Sequence, residues 1–326
     1  MFRAMAEMLE YRDHLNQRYW GYQESRFPVW ENYFDRPNAQ NVRPPVFLPR
    51  EASQNVIVDP DAGPQDNARF LALVPEGERH KWFRSMNSSQ ALAQSVLGNL
   101  AIHGLLQHLA ELDADEGNAL LGSAQLSIDT FAMEFEIDYL REPRRTSLDG
   151  YVAGEYRVAI ECKFTEPEVG SCSRPRLTPA NSNYESEYCD GTYTRQTARM
   201  ERCSLTKVGV SYWGHVPRLF QWPDDVDFSP CPLNKNYQLV RNVLAIGVKA
   251  DGTVSMNDGH AVLVYDERNP AFQAGGSALV AYTETRRALR EPTMLRKCSW
   301  QRIIQHIRHR GLLPWLTKEL ALKYGL

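Results

Sequence analysis

The pattern of apolar and polar positions divides the chain unevenly. Up to about residue 80 no period is sustained. Met5 to Phe34 is rich in aromatic residues and arginine, with a helix expected to about Tyr22. Residues 36–68 are dominated by Pro, Asn, Asp and Gln and read as loop or linker. From Asn87 the pattern sharpens. Asn87 or Ser88 offers a cap for helix N–H groups that otherwise lack partners. Leu92, Val96 and Leu100, with Leu97, Leu105 and Leu109, then recur at helical spacing through Ser89–Leu109. Met133, Phe135, Ile137 and Tyr139 alternate with Glu134, Glu136 and Asp138, the period of a half-buried strand. Thr146–Val152 reads as a second strand and Arg157–Phe164 as a third. Residues 165–235 form a long insertion with many Pro, Ser, Tyr and Cys. Tyr237–Gly247 reads as a helix ending at glycine, Ala261–Tyr265 as an apolar strand, and Trp300–Tyr324 as one or two helices broken near Gly311 and Pro314. The expected fold is therefore an α/β core of order αβββαβ with a large cysteine-bearing insertion. An aromatic- and Arg-rich region, 1–80, precedes a domain spanning 81–326, and there is no internal repeat.

Composition narrows the class. The 326 residues leave room for roughly two domains. With 43% hydrophobic and 24% charged residues, a disordered or fibrous chain is excluded. The formal charge of −3 excludes binding of nucleic acid by overall charge, but not by a local basic groove. Of the 37 basic residues 29 are Arg, which suits bidentate phosphate and base-edge contacts, although a GC-rich coding sequence is the plainer cause. No apolar run approaches the ~18 residues of a membrane span, and the N-terminus lacks an apolar run followed by a cleavage site. A cytoplasmic location without membrane association is expected. Disulfides are not expected there, so the six cysteines, none before Cys162, become candidate metal ligands or buried side chains.

The third strand carries the chemistry. Alternation puts Val158, Ile160, Cys162 and Phe164 on one apolar face and Glu161 and Lys163 on the other. A turn at 154–156 pairs Val152 with Arg157 or with Val158. In the second register Asp149 stands directly opposite Glu161, with Cβ atoms ~5 Å apart. Two carboxylates so placed repel unless a cation lies between them, and hard oxygen ligands select Mg²⁺ or Mn²⁺. Asp149, Glu161 and the backbone carbonyl of Cys162 would hold that ion. Lys163 would position or deprotonate a water, or stabilise a pentavalent phosphate. The plainer reading is a surface hairpin with an ordinary Glu–Lys pair.

Ser147-Leu148-Asp149-Gly150 followed by Ile160-Glu161-Cys162-Lys163 resembles the signature of the PD-(D/E)XK nucleases, and the element order matches their core. Ser88–Ala93, Phe135–Tyr139, Tyr237–Asn242 and Val264–Asp266 resemble an uncharacterised restriction-endonuclease-like branch of that superfamily. The likeness spans about residues 80–326. It implies metal-dependent endonucleolytic cleavage of DNA, with Asp149, Glu161 and Lys163 as the catalytic set and a restriction or defence role; a DNA-repair nuclease or a catalytically silent metal-stabilised DNA-binding module are the alternatives. Leu148 stands where the motif has Pro. Gln90 and Gln94 stand on the first helix where many members carry a metal-binding Glu, and Glu136 is a substitute more simply read as solvated. Related nucleases place a Gln at the position of Gln238, whose polar face with Arg241, Asn242 and Ala245 is equally readable as solvated. A double-strand cutter needs a second site, which a homodimer would supply.

Cys172, Cys189, Cys203 and Cys231 fall in the insertion. Four thiolates there fit structural Zn²⁺ or an iron–sulfur cluster; otherwise they are small buried residues. Arg141, Arg144 and Arg145 lead into Asp149 and are candidate phosphate contacts. Arg286, Arg287, Arg290, Arg296, Arg302, Arg308 and Arg310 thicken the C-terminal third.

Overall fold

A computed structural model describes residues 2–39, 42, 44–143, 145–172, 189–195 and 201–326. Its centre is a five-stranded mixed sheet with strands in chain order: β1 (Phe131–Ile137), β2 (Thr146–Val152), β3 (Arg157–Cys162), β4 (Gly259–Tyr265) and β5 (Leu295–Ser299). The β1–β2 and β2–β3 pairs are antiparallel, while β3–β4 and β4–β5 are parallel. The helices are α1 (Phe2–Arg26), α2 (Pro64–Leu71), α3 (Ser89–Ala93), α4 (Asn99–Ile102), α5 (Ser204–Lys207), α6 (Tyr212–Leu219), α7 (Leu233–Gly247), α8 (Ser277–Ala288), α9 (Trp300–His309) and α10 (Pro314–Tyr324). No described helix is long and apolar enough to cross a membrane.

Alternation along β3 sorts its side chains as the sequence implies. Val158, Ile160, Cys162 and Phe164 enter one apolar layer with Leu92, Val96, Leu100 and Ile303. Ala159 enters the other, with Leu239, Val243 and Ile246 of α7. The sheet thus lies between two helical layers, the arrangement that buries both of its faces. The aromatic N-terminal region contributes Tyr11, Tyr19, Phe34 and Phe47 to the first layer, and α1 packs along α10.

Ser88 caps α3, its hydroxyl accepting from Ala91 N at 3.2 Å. A π turn over Gln94–Gly98 joins α3 to α4. It sits where Ser95 and Asn99 bond the backbone of residues 91, 95 and 57. The helix stops at Ile102, short of the expected Leu109, because Gly104 takes φ +67° and turns the chain into a 3₁₀ segment. β1 begins two residues earlier than its pattern suggests, and α7 begins at Leu233.

Besides the short helices α5 and α6 of the insertion, three elements were not expected: α2, which Pro64 opens inside the stretch read as loop, α8 and β5. β5 hides its identity because Arg296 and Lys297 occupy it. Both find partners across the fold: Arg296 donates to Ala119 O, and Lys297 pairs with Asp115 at 2.6 Å. The same loop donates Asp115 N to Lys297 O at 2.9 Å, covering the sheet edge. The insertion packs by aromatic contact rather than aliphatic bulk: Tyr193 stacks on Trp213 at 3.6 Å, and Tyr212, Val216 and Phe220 are buried on the α7 side of the sheet.

Candidate active site

The hairpin register left open by the sequence is the one pairing Val152 with Val158, Tyr151 with Ala159 and Gly150 with Ile160. Continued by one residue it sets Asp149 opposite Glu161. Asp149 Oδ2 accepts the Cys162 N–H at 2.6 Å, so this carboxylate reaches across to the backbone between Glu161 and Lys163. Cys162 itself points into the first apolar layer, leaving only its backbone available to the site.

The face of β3 bearing Glu161 and Lys163 is not a solvated hairpin surface. Glu161 is 2% exposed and Lys163 8%, beneath α7. Glu161 Oε1 lies 2.8 Å from Lys163 Nζ, and its Oε2 accepts from Asn242 Nδ2 at 2.8 Å. Lys163 also donates to Gln238 Oε1 at 3.0 Å. Arg241 donates to Ser147 O and to Asn242 Oδ1, both at 3.0 Å, and its guanidinium lies 3.9 Å from Glu161. The polar face of α7 is therefore turned inward: 238, 241 and 242 are one turn apart and converge on one ion pair. Gln238 can sit there because Gly170, at φ +114°, has no side chain; a Cβ would lie 2.2 Å from Gln238 Oε1.

Glu134 completes the group, and the sequence pattern missed it. β1 pairs Met133 with Gly150 and Phe135 with Leu148, which places Glu134 across from Asp149. Alternation would put Glu134 on the same face as Glu136. Instead Glu134 adopts φ +49°, the left-handed region that non-glycine residues rarely enter. The strand changes face there: Met133 enters one apolar layer and Ile137 the other. Ser147 Oγ donates to Glu134 Oε2 at 2.6 Å, while Oε1 is buried without a hydrogen-bond partner. Strain and an orphaned oxygen beside charged groups are features that gather at functional sites. Glu136, by contrast, is much less buried and pairs with Arg145 at 3.2 Å.

The electrostatics follow from three neighbouring carboxylates, Glu134 and Glu161 buried and Asp149 half-buried. Burial, then Glu161 and Glu134, raises Asp149 well above the ordinary carboxylate range, against the opposing pull of Lys163 and the Cys162 N–H. Burial also raises Glu134, opposed by Ser147 and Gln90 and assisted by Glu161. Burial alone would lower Lys163; Glu161, then Glu166 and Asp149, reverse this and raise it above its ordinary value. Lys163 is thus held as an ammonium.

The donor set suits a hard divalent cation: two carboxylates, a third whose outer oxygen is orphaned, and a backbone carbonyl. Among the described residues no three or more His, Cys, Asp or Glu side chains close into a ready-made metal cage. Mg²⁺ is ordinarily held by one or two carboxylates, its remaining positions going to water and substrate phosphate.

The insertion cysteines share one neighbourhood. Burial pushes the Cys231 thiol up to about 12, with Cys203, Cys189 and Cys172 adding to the shift. Cys172 and Cys189 are buried, and the four do not close on one point. Arg141 and Arg145 are exposed beside the strand leading to Asp149, and Arg144 lies outside the described residues. In the C-terminal third, Arg302 is tied to Asp115 at 2.6 Å and Arg296 to the loop at Ala119.

The mixed sheet, the two helical layers and the carboxylate–lysine group beside the β2–β3 hairpin define an α/β protein with a restriction-endonuclease-like fold. The family model described as restriction endonuclease associating with ARP matches residues 50–325, and the chain belongs to that family. No curated protein and no solved structure matches the chain.

Proposed function

We propose that the chain is a metal-dependent DNA endonuclease of the PD-(D/E)XK type, acting in restriction or defence. The observation that carries this reading is the buried Glu161–Lys163 pair opposite Asp149, fastened by Asn242 and Gln238 of α7. Burying like charges without a compensating partner costs several kcal/mol, so a site that keeps three carboxylates together fits a role that needs them.

Asp149 and Glu161, with the Cys162 carbonyl, would hold Mg²⁺ or Mn²⁺, and Glu134 stands next to them with an oxygen to spare. When bound, the ion would supply acidification of a water and neutralisation of charge on the phosphate. The chain's own residues do the rest. Lys163, kept protonated by its carboxylate neighbours, is suited to stabilising the charged phosphate rather than to removing a proton. Gln238 and Glu161 fix the direction of its ammonium. Asn242 and Arg241 hold Glu161 from the far side, so it need not rotate when substrate arrives. α7, packed over the pair, excludes bulk water from it, which strengthens each of these contacts. A homodimer would bring two such sites to the two strands of a duplex.

The test is cleavage of plasmid DNA with Mg²⁺ or Mn²⁺ by the wild type, Asp149→Ala and Lys163→Ala. Metal-dependent cutting is expected from the wild type alone. Equal cutting by all three would overturn the site, and no cutting of any DNA or RNA by the wild type would favour a silent binding module.

A further inference from the structure

A second concavity lies one turn along α7 from Gln238. It is a cleft of about 530 Å³ between the N-terminal turn of α7, the strip 221–232 and the outer side of α8. Its lining includes Trp222, Phe228, Lys235, Asn236 and Arg287. Three independent features converge on it. α7 is 15 residues long; Cys231 takes up the Leu233 and Asn234 N–H groups of its first turn, so what this end offers an anion is the helix dipole. Lys235 and Arg287 add two exposed cations. Asn236 is only 5% exposed, yet its Oδ1 is buried with no hydrogen-bond partner. A buried amide left unpaired beside an open cleft is poised for a polar ligand atom. The aromatic walls are braced from behind, Trp222 stacked on Phe220 at 4.9 Å and Phe228 packed on Tyr193 at 6.1 Å.

We infer that this cleft binds one nucleotide, with its phosphate at the α7 N-terminus between Lys235 and Arg287, its base against Trp222 and Phe228, and its base edge on the Asn236 amide. Rigid aromatic surface with neighbouring cations is the combination that holds single nucleotides. Glu284, also in the lining, offsets part of the positive charge, which favours one phosphate over a polyphosphate. Lys235 and Gln238 are three residues apart on one helix, about 4.5 Å along its axis. A nucleotide in the cleft would therefore neighbour the cleavage site. This second step, that the nucleotide comes from the DNA substrate by extrusion from the stack, rests on the nuclease reading. A free nucleotide would satisfy the same chemistry.

The test uses the full chain in EDTA, so that cleavage plays no part. Calorimetry measures binding of each 2′-deoxynucleoside 5′-monophosphate and of inorganic phosphate, and anisotropy measures binding of a labelled duplex. Trp222→Ala and the double variant Lys235→Ala/Arg287→Ala are compared with wild type, with Trp222→Leu replacing the alanine variant if that loses its melting transition. At least tenfold weaker binding in both variants is expected. If monophosphate binding alone falls, the ligand is a free nucleotide; if duplex binding falls, it is an extruded one. An affinity that responds to the charge variant but not to Trp222 overturns the cleft as a base site, and so does the absence of any response or of any binding. Because every readout is metal-free binding, a chain that fails to cut DNA leaves the outcome for the cleft unchanged.

Discussion

Lys163 and Lys323 are the same residue type under nearly the same burial, and they behave in opposite ways. Lys163 sits among carboxylates, 2.8 Å from Glu161 and within the influence of Glu166 and Asp149, and is raised above its ordinary value. Lys323 of α10 is fully buried and donates to Asn55 Oδ1 at 2.9 Å and to the Asn55 carbonyl. The rings of Tyr22, Phe47 and Tyr324 surround it at 5.8, 5.9 and 4.9 Å. Burial lowers it to about 7, and Glu319 opposes the shift only weakly enough that burial prevails. Burial sets the size of the penalty on a charge; the neighbours decide whether the charge survives. One lysine is maintained as a cation among the carboxylates of the candidate site, and the other is a clamp that ties α10 to the segment at Asn55.

The comparison predicts that the two lysines separate completely in activity. Lys163→Met and Asp149→Asn should each lower DNA cleavage by about 10³-fold or more, the scale of losing a charge that stabilises a transition state. Lys323→Met should cleave within a few-fold of wild type. Single-turnover cleavage of a supercoiled plasmid, with a melting curve for each variant, measures this. A Lys163→Met protein that melts normally and still cuts would break the distinction.

How much of this was legible beforehand follows from which forces act locally. β2 could be bounded from the sequence, and β3 except that it ends at Cys162 rather than Phe164; the inward face of Cys162 followed, because alternation is a property of the strand itself. Asp149, Glu161 and Lys163 were legible because they sit in a short motif joined by a tight turn. Arg241 and Asn242 were seen only as a polar helix face, since nothing local says whether such a face meets water or a buried carboxylate. β5 was invisible because the partners of its cations, the Asp115 carboxylate and the Ala119 carbonyl, lie far away in the chain. Glu134 was misplaced by the very rule that served elsewhere: a positive φ at one non-glycine residue reverses the alternation, and no composition signals it.

Glu134 therefore offers the next test, of whether the carboxylates around Lys163 act as a group. Glu134→Gln keeps the shape and the Ser147 contact while removing a charge. Cleavage should fall by roughly 10- to 100-fold. The metal-free protein should melt at the same or a higher temperature at pH 7, because burial and Glu161 raise the Glu134 carboxyl and its ionised form is the unfavourable one. A marked loss of melting temperature in metal-free buffer would show Glu134 to be a structural anchor instead.

The lowered Lys323 makes its own prediction in stability. The folded group titrates near 7 and the unfolded one near 10.5. Between those values the unfolded chain binds more protons, so stability rises with pH through the window and is flat on either side. The group's contribution is up to roughly 5 kcal/mol across the whole window. Melting temperature should climb from about pH 7 to about pH 9.5 in the wild type, and the climb should be smaller in Lys323→Met by the amount this one group supplies. Identical slopes would mean that Lys323 stays charged in the fold, which would erase its contrast with Lys163.

The smallest effect concerns Gln238, the amide that serves Lys163 as Asn55 serves Lys323. Its Oε1 accepts from Lys163 at 3.0 Å, but Glu161 still holds the ammonium if Gln238 is lost. One hydrogen bond of about 1 kcal/mol corresponds to roughly a fivefold loss of rate. Gly170→Ala should reproduce this loss without touching Gln238 chemically, because the new methyl would occupy the space of the amide oxygen. The two effects should not multiply in the double variant, since both act by the same displacement. Gln238→Ala costing about 100-fold or more would instead place the amide against the reacting phosphate, and the charge on Lys163 would then be only part of what separates the two lysines.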